Sequence, residues 1–189
     1  AIVVPIAVIL FVIVIQPNQP LLHGYQQNRI LAWLEPEKYE SDEAYQQLNS
    51  VMAIGSGQLT GKGYNSDATT SVKNGNFISE PQTDFIFAII GEELGFVGCC
   101  SVIILLLLIV ISCISVGMRT KDVSGKLICS GVAALIGIQS FINISVATML
   151  FPNTGISLPF VSYGQTSVVC FYIGIGLVLN VGLQQNKYQ

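Results

Sequence analysis

Val102-Ile103-Ile104-Leu105-Leu106-Leu107-Leu108-Ile109-Val110-Ile111 is a run without one polar side chain, and its reading decides the fold. Outward from it, the uncharged stretch extends from Phe96 to Met118. Roughly 20 helical residues cross the ~30 Å hydrocarbon core of a bilayer, so this stretch reads as a transmembrane span. Composition agrees: 51% of the chain is hydrophobic and 10% charged, against about 25% charged in an average soluble domain. A soluble fold is thereby disfavoured. A net charge of -3 and a pI near 5.0 offer no basic patch, which sets nucleic acid aside as a partner. The chain opens on Ala1 inside an apolar run, with no initiator Met and no signal-peptide pattern. It is expected to be a piece of a longer protein.

Three further stretches read as spans. Residues 1–15 are uncharged but short, and Pro17 and Pro20 close them. Residues 127–151 carry Gln139, Ser140, Asn143, Ser145 and Thr148, more polarity than lipid tolerates on all sides, so one face packs on protein or lines a cavity. The fourth, 163–183, contains Gly174, Gly176 and Gly182, which allow close helix approach. The expectation is an all-α integral membrane protein, one polytopic domain of about four transmembrane helices (1–15, 96–118, 127–151, 163–183) with a long extracellular loop over 16–95. Basic residues in short loops stay on the cytoplasmic side. Arg119, Lys121 and Lys126 crowd the connection between the second and third spans, and Lys187 follows the fourth. That connection and the C-terminus are therefore expected inside, and residues 16–95 outside.

Within the long loop, Arg29 to Leu34 is a short apolar-rich piece stopped by Pro36. Ser41 and Asp42 can cap a helix on which Tyr45, Leu48, Val51 and Met52 form an apolar stripe, as an interfacial helix on the outer leaflet or as a packed loop helix. Continuing the second span back to Asp84 would make a helix too long for one crossing, and it would carry Glu92 and Glu93 into the membrane. A break near Gly91 or Gly95 is expected, with 84–94 running along the outer surface. The five cysteines, Cys99, Cys100, Cys113, Cys129 and Cys170, all lie in apolar stretches without metal-ligand spacing, and read as small hydrophobes.

Three constellations can carry chemistry. Ala53-Ile54-Gly55-Ser56-Gly57-Gln58-Leu59-Thr60-Gly61-Lys62-Gly63 is either an anion cradle with Lys62 beside a phosphate or only a sharp turn. Glu80-Pro81-Gln82-Thr83-Asp84-Phe85-Ile86-Phe87 puts a carboxylate at a helix start. There Thr83 or Asp84 caps the first turn, or Asp84 takes a proton from a sugar hydroxyl or binds a divalent metal. Phe151 to Ser167 breaks membrane-depth sequence with Pro152, Gly155, Pro159 and Gly164. Such backbone survives only inside protein or against a wet cavity, so Ser162, Tyr163, Gln165 and Thr166 face either a ligand or neighbouring helices.

Taken together, Tyr25-Gln26-Gln27-Asn28-Arg29-Ile30, Ala53-Ile54-Gly55-Ser56-Gly57 with Gly61-Lys62-Gly63, Thr83-Asp84-Phe85-Ile86-Phe87-Ala88, Glu92-Glu93-Leu94-Gly95 and Leu158-Pro159-Phe160-Val161-Ser162-Tyr163-Gly164 resemble the RodA, FtsW and SpoVE branch of the SEDS family (shape, elongation, division and sporulation). The resemblance runs from about Tyr25 to the last span and implies a polymerase of the bacterial plasma membrane. Such an enzyme joins lipid II units into glycan strands outside the membrane, with undecaprenyl pyrophosphate as the leaving group. Asp84 matches the family's essential extracellular aspartate, which deprotonates the acceptor hydroxyl or holds a divalent cation, Mg or Mn. Arg29, Lys62 and Glu80 match family positions as substrate or structural contacts. The family's partner is a class B penicillin-binding protein, a transpeptidase. Gln58 and Gln165 stand where the family usually has glycine, and the family's N-terminal spans are absent from this chain, so the 189 residues are not expected to be active alone. A lipid II transporter and a noncatalytic transpeptidase scaffold are the alternatives.

Overall fold

The computed structural model describes residues 29–30, 33–34, 42–63 and 82–185. The expected first span, residues 25–28 of the N-terminal motif and Glu80 lie outside the described residues. Among the described residues all regular structure is helical: α1 (Asp42–Ser56), α2 (Ile86–Arg119), α3 (Val123–Ala147) and α4 (Gln165–Gln185). Residues 29–30 and 33–34 are also helical. Three helices, α2, α3 and α4, are long and apolar enough to cross a membrane. Their outward faces expose Leu105, Ile111, Leu135, Phe141, Ile173 and Leu179 by more than half, as an acyl-chain solvent permits.

Where the helices begin and end follows from local hydrogen bonding, and it moves three expected boundaries. The third span starts at Val123 rather than 127, because the Asp122 carboxylate accepts from the Gly125 amide at 2.9 Å and caps it. It stops at Ala147 rather than 151. Met149 turns to φ 61°, and the Ser145 carbonyl accepts from the amides of Leu150 (2.7 Å) and Phe151 (3.2 Å). The fourth span starts at Gln165: the Tyr163 amide donates to the Gln82 carbonyl instead of facing a helix, and the first helical bond runs from Val168 to Gly164.

The expected break in α2 is at Gly95, with φ 66° and ψ -161°. The segment before it is covered by protein. Phe87, Ala88, Ile89, Gly91, Glu92 and Glu93 are all buried, packed between α1 and the C-terminal end of α3. Beyond the break, Phe96–Arg119 is about 36 Å long at 1.5 Å per residue, enough for one crossing.

A helix break leaves carbonyls without partners on one side and amides on the other, and in a membrane protein both sets must be met inside the protein. The turn after α1 meets them. The Lys62 and Gly63 amides donate to the Glu92 and Glu93 carbonyls at 2.9 and 3.1 Å, while the Phe96 and Val97 amides donate to the Gln58 and Leu59 carbonyls at 2.8 and 3.2 Å. Such close approach requires glycine. A Cβ on Gly57 would land on the Gly91 carbonyl oxygen, and one on Gly61 (φ 79°) on the Glu93 carbonyl oxygen.

Packing elsewhere is by small residues. Cys113, Cys129, Ala133 and Val178 join α2, α3 and α4 in one cluster, and a Cβ on Gly117 would press on Cys129 at 2.9 Å. Gly174 lies against Val132 and Gly182 against Val116, whereas Gly176 has no neighbour. Small residues at helix contacts are the usual means by which membrane helices approach. Cys99, Cys113 and Cys129 are buried, Cys100 is half-buried and Cys170 is exposed.

Candidate functional site

Asp84 lies in the turn that enters α2. The N-cap position falls on Phe85, which makes no side-chain cap. Phe85 is 1% exposed and packs with Ala53, Ala88 and Val146, which leaves half-buried Asp84 at the rim of this cluster. Asn143, 1% exposed near the end of α3, holds the turn from below. Its Nδ2 donates to the Asp84 carbonyl at 2.8 Å and to the Ile156 carbonyl at 2.7 Å.

Residues 152–164 arch over this point. Gly155 takes φ 68°, and a Cβ there would stand 3.7 Å from Asp84 Oδ2, so the carboxylate lies against a side-chain-free patch of the arch. The Gly155 amide donates to Asn153 Oδ1 at 3.2 Å, and Arg29 Nη1 donates to the Asn153 carbonyl at 3.2 Å. Arg29 and Asp84, far apart in sequence, thus meet the same short turn. Trp33 Nε1 donates to the Met149 carbonyl at 2.9 Å, which fixes the same helical piece as Arg29 at the end of α3.

The arch is built by its own hydroxyls and amides. Ser162, buried, accepts from the Leu158 amide at 2.7 Å; Ser157 and Ser167 hydroxyls are 2.9 Å apart; Gln139 Nε2 donates to the Ser157 carbonyl at 3.3 Å. Phe160, at φ 61°, packs tilted against Phe171 and edge-on against Tyr172, with ring centres 5.4 and 5.7 Å away. Tyr163, Gln165 and Thr166 are exposed at the start of α4. The side chain of Gln165 therefore adds bulk outside the turn, not within it.

Lys62 belongs to the second constellation. Its ammonium is 2.8 Å from Glu92 Oε1, with Glu92 2% exposed and the Lys62 side chain 32% exposed. The amides of Gly61, Lys62 and Gly63 donate to the carbonyls of Gly57, Glu92 and Glu93, so the glycine-rich stretch forms a turn whose amides are engaged by protein. Gln58 adopts φ 49°, a left-handed conformation that costs a residue other than glycine about 1 kcal/mol. This is one of the two positions where the motif departs from glycine.

Sequence reasoning missed Gln47 and Ser50. Gln47 Nε2 donates to the carbonyls of Val146 and Phe151 at 3.2 and 2.9 Å, and the Ser50 hydroxyl to that of Ala147 at 2.8 Å. These side chains close the C-terminus of α3, which carries the arch. Among the described residues no group of three His, Cys, Asp or Glu side chains is placed to hold a metal. The basic connection Arg119–Lys126 is at the opposite end of α3 from Asp84.

Comparison with known proteins gives a consistent picture. A family profile covering FtsW, RodA and SpoVE, described as "Cell cycle protein", matches residues 1–187. The chain is 34% identical over 157 residues to a probable peptidoglycan glycosyltransferase FtsW of Geobacter sulfurreducens, covering 83% of this chain and 41% of that protein. It is 38% identical to the stage V sporulation protein E of Bacillus subtilis (83% and 42%), and 32% identical to the peptidoglycan glycosyltransferase MrdB of Escherichia coli (85% and 43%). The chain thus spans about two fifths of the length of these relatives. A chain of a solved structure concerned with the structural coordination of polymerization and crosslinking by a peptidoglycan synthase complex superposes with a TM-score of 0.70 at 27% identity, over 97% of this chain and 48% of that one.

Proposed function

Because this chain belongs to the FtsW, RodA and SpoVE family of cell cycle proteins, we propose that it is the C-terminal part of a multi-pass membrane glycosyltransferase that polymerises lipid II outside the bacterial plasma membrane. The observation that carries the proposal is the Asp84 carboxylate beside the glycine face of the arch, with Arg29 bound to the same turn. Asp84 accepts the proton of the acceptor sugar hydroxyl, a general-base role. The hydroxyl oxygen forms a bond to the anomeric carbon of the donor, whose bond to the pyrophosphate oxygen breaks. Undecaprenyl pyrophosphate leaves with the electron pair. Arg29, a fixed cation near this turn, counters the leaving charge. Lys62, Glu80, Ser162, Tyr163, Gln165 and Thr166 are the further substrate contacts in this reading, Lys62 through the part of its side chain that is not enclosed.

A single carboxylate fits a Mg or Mn ion that keeps several waters and takes its other ligands from substrate phosphates. Asp84 is the residue that would hold such an ion, which when bound would supply charge neutralisation at the pyrophosphate. The partner in this reading is a class B penicillin-binding protein. A solved relative described in terms of both polymerization and crosslinking supports it. The C-terminus is cytoplasmic in this reading, on the side of the basic connection Arg119–Lys126. Transport of lipid II has less support: Gln139 and Asn143, the polar residues of α3 that favoured it, are bonded to the Ser157 and Ile156 carbonyls.

The test uses the full-length protein purified with its transpeptidase, lipid II and Mg. Asp84→Asn is expected to abolish glycan polymer while lipid II still binds. Undiminished polymer from Asp84→Asn would rule out the catalytic assignment, and lipid II crossing vesicles without polymer would favour transport.

A further inference from the structure

Asn143 is a polar side chain placed almost wholly inside a membrane-spanning helix, and its geometry says what it does there. Its amide group offers two donors, and both are engaged, one by the peptide of Asp84 and one by that of Ile156. Neither acceptor belongs to a helical ladder: the first bonds of α2 go to the Phe85 carbonyl, and Ile156 lies in the arch. The amide orientation is fixed by these contacts, because exchanging nitrogen and oxygen would set Oδ1 against two carbonyl oxygens. Oδ1 itself is buried and has no hydrogen-bond partner among the described residues. A buried acceptor left unmet is uncommon in folded proteins. The residue gives up one interaction and keeps both of its donors directed at two separate chain segments.

Those two segments are the two halves of the candidate site. One carries the Asp84 carboxylate; the other carries Gly155, the residue against which that carboxylate lies. The geometry points to Asn143 as a positioning residue of the glycosyl transfer: it sets the distance between the Asp84 turn and the arch, and so the placement of the carboxylate relative to the acceptor hydroxyl. This inference rests on the glycosyltransferase reading above. A displacement of about 1 Å at a reacting group is enough to cost on the order of a hundredfold in rate, and the Asn143 amide ties the Asp84 and Ile156 main chains through bonds of 2.8 and 2.7 Å.

The experiment is steady-state polymerisation of lipid II by the full-length protein with its transpeptidase, for wild type, Asn143→Leu, Asn143→Ser and Asp84→Asn. Asn143→Leu, branched at the same carbon but without donors, is expected to lower kcat ten- to a hundredfold while KM for lipid II and capture of the transpeptidase stay within twofold. Asn143→Ser keeps one donor and is expected to lie between it and wild type; if Asn143→Leu fails to fold, this variant alone decides by the same kcat and KM criterion. Wild-type kcat in a folded Asn143 variant, or a raised KM at unchanged kcat, would overturn the inference while inactive Asp84→Asn leaves the glycosyltransferase reading standing. Active Asp84→Asn would instead remove that reading, and the positioning role with it.

Discussion

Glycines at the end of α1 separate into two kinds, and the difference is measurable. Gly57 abuts the Gly91 carbonyl, whereas Gly55 has nothing within 4 Å of where a Cβ would stand. Gly55→Ala should raise the unfolding free energy by up to about 1 kcal/mol, the helix-propensity gain. Gly57→Ala should lower it by about 1–3 kcal/mol or more, since the contact is with backbone that has no room to yield. Denaturant titration in mixed micelles reads both. Lys62 and Glu92 form a pair in which one member is deeply buried, so removing Lys62 alone takes a 2.8 Å charge-assisted contact from a buried carboxylate. Lys62→Met is expected to cost on the order of 2–4 kcal/mol, and the double variant Lys62→Met/Glu92→Leu to recover most of it. A double-mutant cycle measures the coupling, and a value near zero would show the pair to be incidental. The sequence made Asp84 and Arg29 visible as types of residue in a motif. Asn143 was visible only as polarity inside a span, because its role exists only once residues 84 and 156 are side by side.

Among elements, α1 shows most clearly what periodicity conveys and what it omits. Tyr45, Leu48, Val51 and Met52 do form a stripe, and all are 40% or more exposed, while Gln47 and Ser50 on the other face are 2% and 0% exposed. The helix is inside out. Helical spacing identifies an apolar face, but in a protein bordered by lipid it does not say which face meets protein. The inward face is polar because it must satisfy carbonyls left over at the end of α3. Gln47→Leu should therefore destabilise by about 1–3 kcal/mol, the cost of two buried acceptors losing their donor, whereas Met52→Ser should leave the detergent-unfolding midpoint unchanged. Equal effects from the two would show that the packing has been assigned the wrong way round. Among the described residues, the ends of α3 fall four residues from the hydropathy limits, and the shifts arise from the Asp122 cap and the turn at Met149, both local chemistry that hydropathy does not sense. The break at Gly95 was legible because two carboxylates and excess length cannot share one crossing. Its burial was not, since the segment that covers it lies thirty positions earlier in the chain.

For the molecule as a whole, α3 carries the basic connection Arg119–Lys126 at one end, and Asn143, which meets Asp84, stands 20 residues on from Val123, about 30 Å at 1.5 Å per residue, comparable with the ~30 Å of hydrocarbon. With the five native cysteines replaced, Lys121→Cys and Tyr163→Cys should label with a membrane-impermeant maleimide from opposite sides of intact cells or inverted vesicles, Tyr163→Cys from outside. Labelling of both from one side would remove the topology on which the extracellular site depends. The insertion of residues 57–63 into the α2 break has a further consequence for how the protein is made. The turn leaves the ribosome before the helix it completes, so its carbonyls and amides are already waiting when the Gly95 break emerges. Assembly then has a built-in order, in which a nascent chain whose earlier segment is not docked carries an interrupted helix with its carbonyls and amides unmet.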